Sequence, residues 1–157
     1  MSKSVIQSIE IYKLNVPLKG PFTISLGEIS ASNSIVLKIN TENGLTGTGE
    51  CNPLVYIVGE MQESQFEIAK KISAMLIGKN PLAIEDRLQE IDQVLPGNYT
   101  LKSAFDMAFY DLLAKEAHLP LYQLLGGSNT REIYTDLTVS LNTPDKMAAK
   151  ALKYKQE

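Results

Sequence analysis

Few side chains in this sequence of 157 residues could carry out chemistry, and they lie far apart in the chain. The only histidine is His118 and the only cysteine is Cys51. No serine stands in a G-x-S-x-G element, so a Ser-His-Asp triad is not favoured, and His118, which follows a helical segment, could instead cap a carbonyl. Cys51 has no second cysteine with which to bind a metal, and the sequence predicts a packed thiol.

Three closely spaced glycines, Gly44, Gly47 and Gly49, could suggest a loop that binds phosphate. Their spacing is not G-x-G-x-x-G, and no helical pattern follows them directly. We therefore predict turn and strand glycines.

The carboxylates do not form a sequence pattern typical of a metal site, because metal ligands must converge on one point. Most acidic residues fall on the polar faces of predicted helices, where solvation or ion pairing is expected. Asp106 and Asp111 lie inside an apolar helical segment, and each buried carboxylate needs a donor. The sequence thus predicts no self-contained active site, and catalytic residues are expected beyond Glu157.

Composition is that of an ordinary globular protein, with 44% hydrophobic and 21% charged residues and a net charge of -3. The basic residues are scattered, which disfavours nucleic acid and membrane surfaces as partners. The sequence has no signal peptide or membrane-spanning run, so we expect a cytoplasmic protein. A homo-oligomer is left open.

The first third of the chain has the two-residue period of strands. Apolar and polar residues alternate over residues 5–14; Pro17, Gly20 and Pro21 are expected to break this strand before the alternation resumes at residues 22–26. Residues 34–41 and 45–50 flank a tight turn and predict an antiparallel pair. An antiparallel meander of three strands is expected.

After Gly59 the period changes to that of helices. The sequence predicts two amphipathic helices and a third, from about Thr100, that is apolar on most of its surface and therefore buried between layers. Their apolar positions are Phe66, Ala69, Ile72 and Leu76, then Ile84, Leu88, Ile91 and Leu95, then Ala104, Phe105, Ala108, Phe109, Leu112 and Leu113. Strands followed by helices predict an α+β domain.

Residues 133–141 return to strand character, with Asp136, Thr138 and Ser140 on one face. A helix is predicted to follow, with Thr143 at its N-cap and Pro144 in its first turn. This pattern suits the first β-α unit of a (β/α) barrel, which needs about 250 residues when complete.

The segment at residues 100–127, TLKSAFDMAFYDLLAKEAHLPLYQLLGG, resembles the end of the capping domain in the mandelate racemase and muconate lactonizing enzyme family of the enolase superfamily. Over nearly the whole chain the sequence is similar to the dipeptide epimerases of that family, such as the alanyl-glutamate epimerases. The resemblance implies a capping domain at residues 1–127 and the truncated start of a TIM-like barrel at residues 128–157.

The resemblance also implies a reaction. In this family a Mg²⁺ ion held by barrel carboxylates stabilises an enediolate, while two lysines on opposite sides of the substrate exchange the α-proton. A K-x-K pair on the second barrel strand is expected just after Glu157, so neither the catalytic lysines nor the metal ligands are expected within this chain. The implied activity is inversion of a dipeptide α-carbon by 1,1-proton transfer.

Three positions match substrate-pocket sites of the dipeptide epimerases, and a fourth, Gly27, departs from the family's pattern. Phe22 and Ile57 match apolar walls, and the alternative for both is core packing. Thr138 matches a threonine whose hydroxyl reaches the substrate, and the alternative is a barrel-interior hydroxyl without a ligand. Gly27 stands where the acidic-dipeptide enzymes place an arginine, and neighbouring Glu28 has the opposite charge. The sequence therefore favours a substrate with an uncharged second residue, while an inward-facing Glu28 would favour a cationic one.

Other hypotheses remain open from the sequence. Within the superfamily, a muconate cycloisomerase or an o-succinylbenzoate synthase would share the capping domain. A non-catalytic binding or assembly module is the hypothesis from another class, and it would hold if Glu157 is a true C-terminus.

Overall fold

The structure is a computed structural model that describes residues 4–130 and 132–156. It begins with a three-stranded antiparallel sheet in the order β1-β2-β3, formed by β1 (Ile6–Ile24), β2 (Gly27–Thr41) and β3 (Thr46–Cys51). The pairing of β2 with β3 runs from Ile35 opposite Cys51 to Asn40 opposite Thr46. The predicted meander is confirmed.

The predicted break in the first strand is wrong. The β1 strand continues through Pro17, Gly20 and Pro21 for 19 residues and ends at a two-residue turn, Ser25-Leu26. Proline is tolerated in a strand at the edge of a sheet, where its missing N–H can face away from the neighbouring strand. Because β1 is such an edge, the prolines do not end it.

The helices follow the sheet. They are α1 (Val55–Val58), α2 (Gln62–Leu76), α3 (Ile84–Val94), α4 (Tyr99–Glu116), α5 (Leu121–Leu124) and α6 (Pro144–Gln156). The three predicted long helices are confirmed as α2, α3 and α4, and the α+β architecture with them. No helix in the part of the chain that is described is long and apolar enough to cross a membrane.

The segment predicted as the first barrel strand, residues 133–141, forms neither a strand nor a helix. A parallel barrel strand takes its hydrogen bonds from neighbouring strands, and the described residues include no parallel partner for it. Helix α6 follows as predicted, and Met147 N donates to Thr143 O over 3.0 Å, which puts Thr143 at the N-cap position.

The chain divides into two compact units. One contains Met1–Leu14 and Asn33–Asn129, and the other contains Asn15–Ser32 and Thr130–Glu157. The first unit holds the main core, where α4 packs against β3 on one side and against α3 on another. Its largest fully buried side chains include Phe105 and Phe109 of α4 and Leu37 of β2.

Strand β3 and helix α4 approach each other at backbone distance. A Cβ atom at Gly49 would overlap the carbonyl oxygen of Ala104 and lie 2.8 Å from its carbonyl carbon. At Gly47 it would overlap the carbonyl oxygen of Ala108 and lie 2.5 Å from Cγ of Leu112. The predicted role of these two as strand glycines is confirmed, and the reason for them is this contact.

The carboxylates of Asp106 and Asp111 on α4 have different surroundings. Asp111 accepts a hydrogen bond from Thr48 N over 2.9 Å and another from Lys115 Nζ over 2.7 Å, as a carboxylate on a packed helix requires. Asp106 faces a groove of about 240 Å³ between α3 and α4, and its buried Oδ1 has no hydrogen-bond partner in the described chain. Desolvation, and secondarily the charge of Glu85, raise the pKa of Asp106.

We expect Gly49→Ala to lower the free energy of unfolding by about 3 kcal/mol, since the added methyl group meets backbone atoms that cannot rotate away. Gly20→Ala is the matched control, because nothing lies within 4 Å of a Cβ atom there, and it should change stability by less than about 0.5 kcal/mol. Urea unfolding of the two variants measures the difference. Equal stabilities would contradict the contact between β3 and α4.

We also expect Asp106→Asn to stabilise the chain near neutral pH. The folded-state pKa of Asp106 is raised. The stabilising contribution of the protonated carboxyl is therefore present below the unfolded-state pKa and is lost as pH rises through the folded-state pKa. The gain from the neutral amide should therefore shrink as pH falls toward about 4. Urea unfolding of Asp106→Asn and the parent, at neutral pH and at about pH 4, measures this difference in stability.

The control for that variant is Asp92→Asn. Asp92 Oδ1 lies 2.5 Å from Lys102 Nζ, and its side chain is 64% exposed, so neutralising it removes an ion pair and should bring no gain at neutral pH. A gain as large as that of Asp106→Asn would show that general charge reduction, rather than the desolvated oxygen, is responsible.

Candidate functional site

The second unit contains a groove of about 730 Å³ between the 18–22 segment of β1 and the start of α6. Both walls come from segments of this one unit. The residues lining it combine apolar and cationic side chains: Leu18, Lys19, Gly20, Pro21, Phe22, Ser140, Asn142, Lys146 and Lys150.

Two hydrogen bonds hold the walls of this groove together. Thr23 N donates to Ser140 Oγ over 2.7 Å, and Leu141 N donates to Thr23 O over 2.9 Å. Ser140 and Leu141 lie a few residues before α6, so these bonds fix the position of Phe22 relative to the helix start. A groove tied at its base in this way has a defined shape before any ligand binds.

Phe22 is half-buried and lines the groove, whereas Gly27 and Thr138 of the same unit do not. Gly27 is half-buried just after the Ser25-Leu26 turn, and Thr138 is exposed between residues 132 and 141. Ile57 belongs to the first unit, where it lies on α1 and is 68% exposed. The four predicted substrate residues therefore include one that shapes a cavity and two that present open surface.

The cationic side of this groove was not predicted from the sequence. Lys19 comes from the Leu18–Phe22 segment, and Lys146 and Lys150 lie four residues apart, hence on one face of α6. The spacing on the helix was visible in the sequence. The sequence did not show that Lys19, more than 120 residues earlier in the chain, approaches α6. That approach depends on the two hydrogen bonds at Thr23.

The predicted packed thiol at Cys51 is confirmed, whereas the carbonyl-capping role of the His118 side chain stays a prediction. Cys51 is 4% exposed, and burial raises the pKa of its thiol to about 11, with smaller contributions from Glu60 and Glu50. It is therefore a neutral thiol at physiological pH. His118 is exposed at φ +54°, and its backbone N–H donates to Lys115 O over 3.1 Å at the end of α4.

Within residues 4–130 and 132–156, no three histidine, cysteine, aspartate or glutamate side chains are placed to hold a metal ion. The carboxylate of Asp111 is bonded to Thr48 N and Lys115 Nζ. The carboxylate of Glu90 is bonded to Arg87 and Lys79, whose hydrogen bonds lower the pKa of Glu90. The described residues therefore do not fit a Mg²⁺ site.

Comparison with known proteins relates this fold to one family. Residues 6–126 match the model of the mandelate racemase / muconate lactonizing enzyme N-terminal domain. The chain is 42% identical to the D-Ala-D/L-Ala epimerase of Cytophaga hutchinsonii, over 97% of this chain and 41% of that protein. It is 37% identical to the hydrophobic dipeptide epimerase of Enterococcus faecalis, over 94% of this chain and 42% of that protein.

A solved structure gives the same relation. The crystal structure of the dipeptide epimerase from Cytophaga hutchinsonii, complexed with Mg and the dipeptide D-Ala-L-Val, superposes with a TM-score of 0.94 at 42% identity. The superposition covers 97% of this chain and 41% of that one, so the chain spans about two fifths of the length of these relatives. This chain belongs to the mandelate racemase and muconate lactonizing enzyme family, whose N-terminal capping domain it contains.

Proposed function

We propose that this chain is the capping portion of a Mg²⁺-dependent dipeptide epimerase. The observation that carries the proposal is the similarity to dipeptide epimerases along 97% of the chain, which includes α6 as well as the capping domain. Residues 132–141 and then α6 follow the capping domain in the order that a barrel requires. In this proposal residues 1–127 form the cap and residues 128–157 begin the barrel of a cytoplasmic enzyme.

The proton-transfer chemistry is proposed to belong to residues beyond Glu157. The described residues do not fit a Mg²⁺ site, and the thiol of Cys51 is neutral, as its pKa of about 11 requires. When bound, the metal supplies positive charge beside a developing oxyanion. The contribution of this chain is to bind and orient the substrate and to exclude water.

Phe22, Ile57 and Thr138 are the residues proposed to contact the dipeptide. Phe22 lines a preformed groove, and the 68% exposure of Ile57 leaves an aliphatic side chain open to a ligand. Thr138 is exposed, and its hydroxyl can donate to a carbonyl. An aromatic ring, an aliphatic side chain and a hydroxyl can each contact a neutral side chain, and none of the three carries a charge.

The substrate is proposed to be a dipeptide with an uncharged second residue. Gly27 offers no side chain to neutralise a glutamate, and an unpaired buried carboxylate would cost several kcal/mol. Each methylene buried against the apolar walls contributes about 0.8 kcal/mol, so an aliphatic residue can be held without an ion pair. The names of the two relatives, acting on D-Ala-D/L-Ala and on hydrophobic dipeptides, support this choice.

The test is a kinetic panel on the whole protein that contains this chain. We expect kcat/KM for alanyl-valine to exceed that for alanyl-glutamate by at least about tenfold, equal to about 1.4 kcal/mol. Gly27→Arg should shift that ratio toward alanyl-glutamate by a similar factor, because the guanidinium pairs with the substrate carboxylate.

Ser30→Arg is the control, since Ser30 is exposed on β2 and its replacement adds the same charge nearby. Its ratio should stay close to that of the unmodified protein. If alanyl-glutamate has the highest kcat/KM, the argument from Gly27 is wrong. If both arginine variants shift the ratio equally, the effect is general electrostatics and position 27 does not face the substrate. Activity on muconate or on no substrate would contradict the proposed function itself.

A further inference from the structure

The connection between β1 and the residues before α6 depends on one side chain. Thr23 O accepts a hydrogen bond from Leu141 N over 2.9 Å, and Thr23 N donates to Ser140 Oγ over 2.7 Å. In an antiparallel pair of strands, two opposite residues exchange two backbone hydrogen bonds. Here a serine hydroxyl replaces the second backbone carbonyl, so the second bond, unlike the first, requires a particular side chain at position 140.

The bond between Thr23 and Ser140 is partly shielded from solvent, since both residues are half-buried. Removal of the Ser140 hydroxyl would leave the N–H of Thr23 without its acceptor. A shielded donor without an acceptor disfavours the conformation that contains it. We therefore expect the end of β1 to lose its fixed position when the hydroxyl is absent.

The same bond connects two residues that are proposed to contact the dipeptide. Phe22 directly precedes Thr23, and Thr138 lies two residues before Ser140. Thr23 and Ser140 are 117 positions apart in the chain, yet both belong to one compact unit. Because Phe22 and Thr138 come from separate segments, their relative position depends on the bonds that join those segments.

We propose that Ser140 is a positioning residue for the dipeptide, an assignment that rests on the proposed epimerase function. Its hydroxyl holds Thr23, and through the backbone it fixes the Phe22 ring relative to Thr138. Since the hydroxyl is engaged by Thr23 N, Ser140 acts through Phe22 rather than on the reacting atoms. A displacement of about 1 Å in groups that orient a substrate can lower a rate about a hundredfold.

The kinetic test uses the whole protein that contains this chain, with alanyl-valine as the probe. Ser140→Ala should lower kcat/KM by about tenfold or more, whereas Ser140→Thr should keep most of the activity because it retains the hydroxyl. Ser30→Ala is the control at an exposed position on β2 and should leave kcat/KM unchanged. No rescue by threonine would overturn the proposal.

A double-mutant cycle with Phe22→Ala tests whether Ser140 acts through the Phe22 ring. In the Phe22→Ala background, Ser140→Ala should change kcat/KM by less than about twofold, because the ring that it positions is already absent. Equal losses in the two backgrounds would overturn the proposal.

Hydrogen exchange of the Thr23 amide supplies a readout that is independent of activity. It should be faster in Ser140→Ala than in the parent, Ser140→Thr or Ser30→Ala, while the amide of Phe105, a fully buried residue of α4, should keep its slow exchange. Unchanged exchange at Thr23 would overturn the role of Ser140. Faster exchange at Phe105 as well would show a general loss of structure and would also overturn it.

The positioning role and the epimerase function fail in different ways. If exchange at Thr23 follows the Ser140 variants as expected but the parent inverts no dipeptide, the epimerase function is wrong, and the dipeptide is not the ligand that Ser140 serves. If the parent is an active epimerase and Ser140→Ala equals it in kcat/KM, the role of Ser140 alone is wrong.

Discussion

The fold depends on the direct contact between the backbone of β3 and helix α4. Packed elements usually have their backbones about 10 Å apart, because side chains lie between them. In this contact Gly47 and Gly49 have no side chains on the sheet, and Ala104 and Ala108 have only methyl groups on the helix. Seven residues of α4 are buried, among them Ala104 and Ala108, which face the two glycines. Its position then determines where α3 and α5 can pack.

Hydrogen bonds at the end of α4 secure the register of that contact. Asp111 accepts from Thr48 N, and Lys115 Nζ donates both to Asp111 and, over 2.6 Å, to Thr46 O. These bonds connect α4 to Thr46 and Thr48, which alternate with the glycines in β3. A shift by one residue would place Thr48 against the helix, where its side chain has no room.

Sequence patterns predicted the elements of this structure well, because periodicity reports which face of an element is buried. The three strands and three long helices follow from it, and so does the buried character of α4. Patterns did not show that β1 continues through Pro17 and Pro21, since only the strand order makes β1 an edge. The patterns also did not show that Asp106 and Asp111 have different surroundings. Both carboxylates needed a hydrogen-bond donor, but only the packing of Thr48 against α4 gives one to Asp111 and none to Asp106 Oδ1.

The same limit applies to the candidate site. Phe22 was predicted as a substrate contact and lies in a groove, yet the lysines around it come from positions that no local pattern connects. The side chains that usually indicate catalysis serve the fold instead: the Cys51 thiol is buried and neutral, and Asp111 bonds to β3. The exposed groove beside Phe22 contains both apolar and cationic residues. The proposal therefore assigns ligand binding to this chain and proton transfer to residues outside it.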